Sequence, residues 1–153
     1  MMNNIRRRLL FSALQSRFLY IYKTGCAQIT NAAHSEYETV SVTENGITIV
    51  PASNGIPRGM TVTLVSAAMQ PYEKLVVTAA FAVSGEGNAN CGLRFRKASG
   101  YSSPVYNKEV AKGGSFADYE FTLSELKSTS AVLEITVGGS AESVLTISQI
   151  YLA

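Results

Sequence analysis

With 153 residues, 46% of them hydrophobic and 16% charged, the chain has the length of one ordinary domain, which buries roughly 68–70% of its unfolded surface and needs no staple. The net charge of +2 is unevenly placed: residues 1–23 carry Arg6, Arg7, Arg8, Arg17 and Lys23 with no acid, whereas the rest carries eight bases against eleven acids. That split excludes a protein-wide basic footprint, so no nucleic-acid partner is expected, and the abundance of Val, Ile, Thr, Tyr and Phe between Gly, Ser and Asn excludes bulk disorder in favour of β structure.

The opening segment is basic and then apolar. Arg6-Arg7-Arg8 before Leu9-Leu10-Phe11 resembles the start of a secretory signal, and Thr24-Gly25-Cys26 the end of a lipoprotein signal. The apolar run is broken by Gln15, Ser16 and Arg17, however, and Lys23 stands three before the cysteine. The same interruptions leave no stretch of about 18 apolar residues, so no membrane span is expected. As a helix, Leu10, Leu14, Phe18 and Ile21 form a stripe widened by Ile5, Leu9 and Ala13; as a strand, Phe18, Tyr20 and Tyr22 alternate with Leu19 and Ile21. Both periods fit. Either way, residues 1–25 are expected to act as an anchoring arm, with Arg6, Arg7, Arg8, Leu10, Leu14, Arg17 and Phe18 as its contact residues.

Residues 26–153 carry strand-length apolar runs between regular turn signals, which is the pattern of a β-sandwich. Tyr37–Val42 and Ile47–Val50 flank Asn45-Gly46, predicting a hairpin with a type I′ turn and positive φ at both residues. Residues 51–59 read as loop and Met60–Val65 as a strand. Leu75–Val83 is longer, with Leu75, Val77, Ala79, Phe81 and Val83 on one face and small apolar residues on the other, so it is expected to be central. Cys91–Lys97 points Leu93 and Phe95 inward and Arg94 and Arg96 outward. Val105–Val110, Tyr119–Leu123, Ala131–Val137 and Val144–Leu152 complete the set. Phe81, Phe95, Tyr119, Phe121, Leu133, Ile135 and Ile147 are the expected shared core. The fold class is thus all-β, a two-sheet antiparallel β-sandwich of jelly-roll type behind a short basic arm or helix.

From about Gly46 onward the order of elements resembles the carbohydrate-binding-module and galactose-binding-like jelly rolls. Three segments carry the likeness: Ser115-Phe-Ala-Asp-Tyr-Glu-Phe-Thr-Leu, Ala131-Val-Leu-Glu-Ile-Thr-Val, and Val144-Leu-Thr-Ile-Ser-Gln-Ile-Tyr-Leu. The resemblance covers about two thirds of the chain and rests on core positions, which specify a fold rather than a ligand. Members with a structural calcium have an Asp near the position of Ser148-Gln149; here Asp118 is the single aspartate, so no metal and no cofactor is expected. Sugar-binding members stack rings on exposed aromatics, and with no Trp in the chain the candidate ligand face is Arg94, Arg96, Tyr101 and Tyr106. The leader Met-Met-Asn-Asn-Ile-Arg-Arg-Arg-Leu-Leu-Phe is similar to those of small bacteriophage structural proteins.

Catalytic signals are weak. His34, the single histidine, reads as part of a polar linker, and the adjacent Ser35 and Glu36 do not make a triad. Glu109, Glu120 and Glu134 are dispersed, with Glu120 and Glu134 expected on outward faces. Cys26 and Cys91 are too few and too far apart for a thiolate metal site and are expected to be free. The weak catalytic signals lead to the expectation of a non-enzymatic protein, and the leader's resemblance implies a virion protein of a bacteriophage, fibre, decoration, auxiliary or tail appendage, whose partners are capsid or tail proteins and further copies of itself. A host surface glycan is a candidate ligand, and the alternative is a cell-surface or secreted carbohydrate-binding module.

Overall fold

The computed structural model describes residues 18–23, 32–34, 39–43, 45–51, 58–99, 106–139 and 142–153. Among them are eleven strands and one short helix: β1 (Leu19–Lys23), β2 (Ala32–His34), β3 (Thr39–Thr43), β4 (Gly46–Val50), β5 (Arg58–Leu64), α1 (Ser66–Met69), β6 (Lys74–Ser84), β7 (Ala89–Lys97), β8 (Tyr106–Glu109), β9 (Ala117–Thr122), β10 (Ala131–Gly139) and β11 (Glu142–Leu152). They form two antiparallel sheets. One runs β3-β4-β11-β6-β9, with β1 also on β11, and the other runs β2-β5-β10-β7-β8. β1 and β4 share a single edge of β11, β4 pairing with residues 145–147 and β1 with residues 149–152.

Alternation explains the core. β6 and β7 send Leu75, Val77, Ala79 and Phe81, and Cys91, Leu93 and Phe95, into the gap between the sheets, where all are fully buried. Phe95 from one sheet meets Phe121 from the other at 5.8 Å between ring centroids. Of the expected core, Phe81, Phe95, Phe121, Leu133, Ile135 and Ile147 are buried, and Tyr119 packs partly buried against them. At the open side, Lys108 on the edge strand β8 lies opposite Leu93 and sets its ammonium 5.8 Å from the Phe121 ring. A charge at that position covers the aromatic and discourages edge-to-edge pairing.

Several expectations shift. The β3–β4 hairpin forms, but its last pair is Thr43 with Gly46, so Gly46 belongs to the ladder rather than to the turn, and Asn45 has no positive φ. Gly46 is already in the strand at φ +134°, and a Cβ there would collide with the Ile147 carbonyl. Close approach of β4 to β11, rather than a type I′ turn, requires the glycine. His34 lies on the short strand β2, paired with Met60, rather than in a linker. Residues 19–23, expected within the arm, form a strand of the sandwich whose Tyr22 is buried. The helix-or-strand alternative for that stretch therefore resolves to strand. Arg6, Arg7, Arg8, Leu10, Leu14 and Arg17 lie outside the described residues. No helix among the described residues is long and apolar enough to cross a membrane.

Candidate functional site: an aromatic platform on the six-stranded sheet

Two one-residue irregularities decide what the outer face of this sheet displays. On β11 the register with β6 passes from Ile147–Ala79 to Gln149–Thr78, leaving Ser148 as an extra residue. Strict alternation from Ile147 would aim Gln149 and Tyr151 into the core. The bulge reverses the parity, so Ile150 and Leu152 point inward, where they are buried, and Tyr151 comes to the outside. On β1 the register passes from Tyr20–Tyr151 to Tyr22–Ile150, so Tyr20 faces outward while Tyr22 enters the core. Tyr20 and Tyr151 are thereby cross-strand neighbours on one surface.

Phe18 completes a cluster. Its ring lies 5.6 Å from that of Tyr151 in an edge-to-face arrangement and 6.5 Å from Tyr20, and the two tyrosine rings are 5.4 Å apart. Phe18 and Tyr20 keep 45% and 44% of their surface exposed, enough for each to offer a ring to a ligand. Beyond Tyr151 the same row continues through Val76 on β6 to Glu120 on β9. Val76 is buried although it lies on the outer face.

Polar groups border the rings. Lys74 Nζ donates to Glu120 Oε1 at 2.7 Å, and that hydrogen bond holds the ammonium above its ordinary value. In the next row, Gln149 pairs with Thr78 and Thr78 with Asp118, the Thr78 hydroxyl donating to Asp118 Oδ1 at 2.6 Å. Partial burial, then the nearby Asp118, raises the Tyr151 phenol above its ordinary value, and its hydroxyl can both donate and accept.

The residues expected as a ligand face do not all meet. Arg94 is exposed on the outer face of the five-stranded sheet. Arg96 shares that face but is held by Glu134, with Nε at 2.8 Å and an ion-pair contact at 2.5 Å. Tyr106 lies opposite Phe95 and packs against the core, so alternation denies it the face of Arg94. Tyr101 lies outside the described residues. Of the expected anchor residues, Phe18 is the one described, and it belongs to the aromatic platform. Tyr20, Tyr151, Lys74, Asp118 and Glu120 were missed, because period alone places Tyr151 inside. Cys91 is free and buried, Cys26 lies outside the described residues, and these contain no cluster of three metal-ligating side chains.

The sandwich with these features has known counterparts. The xylan-binding module CBM15 superposes with a TM-score of 0.58 at 10% identity, over 88% of this chain and 94% of that one. The fold is that of the carbohydrate-binding jelly rolls. TmCBM61, solved in complex with β-1,4-galactotriose, matches with a TM-score of 0.54 at 11% identity, over 80% of this chain and 86% of that one. The enzymatically active domain of tailspike protein 4 from bacteriophage CBA120 matches at 0.53 and 13% identity, over 88% of this chain but 21% of the tailspike chain. At these identities the likeness is one of architecture. No protein-family model and no curated protein matches the sequence.

Proposed function

We propose that this chain is a non-enzymatic jelly roll that binds a glycan on the outer face of its six-stranded sheet. The observation that carries the reading is the cluster of Phe18, Tyr20 and Tyr151, with centroids 5.4–6.5 Å apart, beside the Lys74–Glu120 pair and Asp118. Flat apolar rings match the C–H face of a pyranose, and flanking carboxylates, amide and hydroxyls match its hydroxyl groups. Glu120 and Glu134 lie on opposite outer faces of the sandwich, so they do not flank one glycosidic bond, which supports a binding rather than a hydrolytic role. Affinity electrophoresis of the full chain in gels containing galactan, xylan or β-glucan tests it. Retardation by at least one, abolished in Tyr151→Ala and Tyr20→Ala chains with unchanged circular dichroism, is expected. Free migration in every gel, or variants retarded like the parent, would sink the reading.

A virion role is the second reading, favoured by the tailspike neighbour and by the basic leader with Arg6, Arg7 and Arg8. In it the jelly roll supplies the attachment surface while residues 1–17 contact capsid or tail subunits or further copies of the chain. Sedimentation velocity of the full chain and of one lacking residues 2–17 tests this. The full chain is expected to self-associate and the shortened one to remain monomeric, and identical monomers refute self-assembly through the leader.

A further inference from the structure

A second exposed aromatic lies at the start of β9, away from the platform. Phe116, immediately before β9, keeps 53% of its surface exposed. Ala117 pairs with Ala79, whose side chain faces the core. Continuing the alternation by one residue puts Phe116 on the outer face, level with Ala80. With a rise of about 3.3 Å per residue and about 4.8 Å between strands, Phe116 stands roughly 16 Å from Tyr151, diagonally across β11, β6 and β9.

Between the two stations the outward side chains are small or polar. Beyond the buried Val76, β6 contributes Thr78, the largely covered Ala80 and Ala82, and β11 contributes Gln149 and Thr146, so no side chain larger than threonine rises from β6 between Val76 and Phe116. Asp118 and Glu120 stand on the β9 side with Lys74 as the balancing cation. These three groups leave one net negative charge along the path. A single sugar ring does not reach from Tyr151 to Phe116, but an oligosaccharide does.

Resting on the glycan-binding reading above, we infer that Phe116 is a second stacking station of the same site, and that the ligand is an extended, uncharged glycan chain lying diagonally across β11, β6 and β9. Length then determines affinity, because only a chain several rings long touches both stations. The negative rim of Asp118 and Glu120 disfavours chains that carry carboxylates of their own.

Isothermal titration of the full chain with a neutral disaccharide and a neutral hexasaccharide, cut from whichever polysaccharide retards it, tests the inference. The hexasaccharide is expected to bind more tightly than the disaccharide. Phe116→Ala should lose about tenfold in hexasaccharide affinity with disaccharide affinity unchanged, and Phe116→Tyr should restore it. Tyr151→Ala should lose both ligands. Parent-like hexasaccharide binding by Phe116→Ala overturns the second station while leaving the platform intact. Oligouronate binding as tight as that of the neutral chain overturns the charge selection. If the parent binds no glycan at all, the glycan-binding reading itself fails. Phe116 is half exposed, so its variants are expected to keep the parent thermal midpoint, and a matched midpoint makes the affinity comparison direct.

Discussion

Cys91 shows how far a single position on a strand settles chemistry. It lies on β7 between Ala89 and Leu93, two residues from each along the inward face, and is fully buried. Desolvation, with Glu109 adding to it, pushes its thiol from 9.0 up to about 12. A raised folded value favours the protonated thiol. The corresponding stability is present in full below pH 9 and is lost as the pH rises through about 12. In a Cys26→Ser chain, Ellman's reagent at pH 8 is therefore expected to leave Cys91 unmodified until denaturant is added, and the thermal midpoint should fall between pH 9 and pH 12. Rapid modification of the folded chain at pH 8 would contradict the burial. At the same scale, Tyr106 and Arg94 separate for an elementary reason. Paired with Phe95 and Asn107 respectively, they occupy opposite parities of one ladder.

At the level of the elements, period-two alternation accounts for most of the strands. The nine segments from Tyr37 to Leu152 with alternating or continuous apolar residues all appear as strands, each with ends shifted by a few residues. What patterning misjudged has two causes. β2 is three residues long, too short for any period to register. The β3–β4 turn is displaced by one residue because β4 must approach the β11 backbone at Gly46, a demand that comes from a strand about a hundred residues away. The inter-sheet contact of Phe95 with Phe121 is where the elements depend on one another most. Phe121→Ala removes a fully buried ring and is expected to cost about 3–5 kcal/mol, read as a lower denaturation midpoint at unchanged m-value. A loss below about 1 kcal/mol would show that the sheets close over the gap.

For the whole molecule, the boundary between leader and sandwich is the feature with the largest consequence. β1 pairs with β11 from Leu19 to Lys23 and buries Tyr22, so the sheet begins inside the segment expected to be an arm. Removing residues 2–17 is expected to leave the circular dichroism and the thermal midpoint close to those of the full chain. Removing residues 2–23 takes away a strand, uncovers residues 149–152 of β11 and should lower the midpoint sharply. Equal stability of the two truncations would mean that β1 contributes nothing to the fold.

By itself the sequence determined that this is an antiparallel sandwich, which residues fill it, and that Arg94 and Arg96 face away from the core. Those properties follow from local alternation, which each strand carries in its own residues. The aromatic platform was decided by tertiary structure alone. Whether Tyr151 points in or out depends on an extra residue at Ser148, and whether Tyr20 joins it depends on another at Ile21. A bulge is a mismatch between two paired strands. It has no signature in either strand read alone, and it appears only once β1, β11 and β6 are laid side by side.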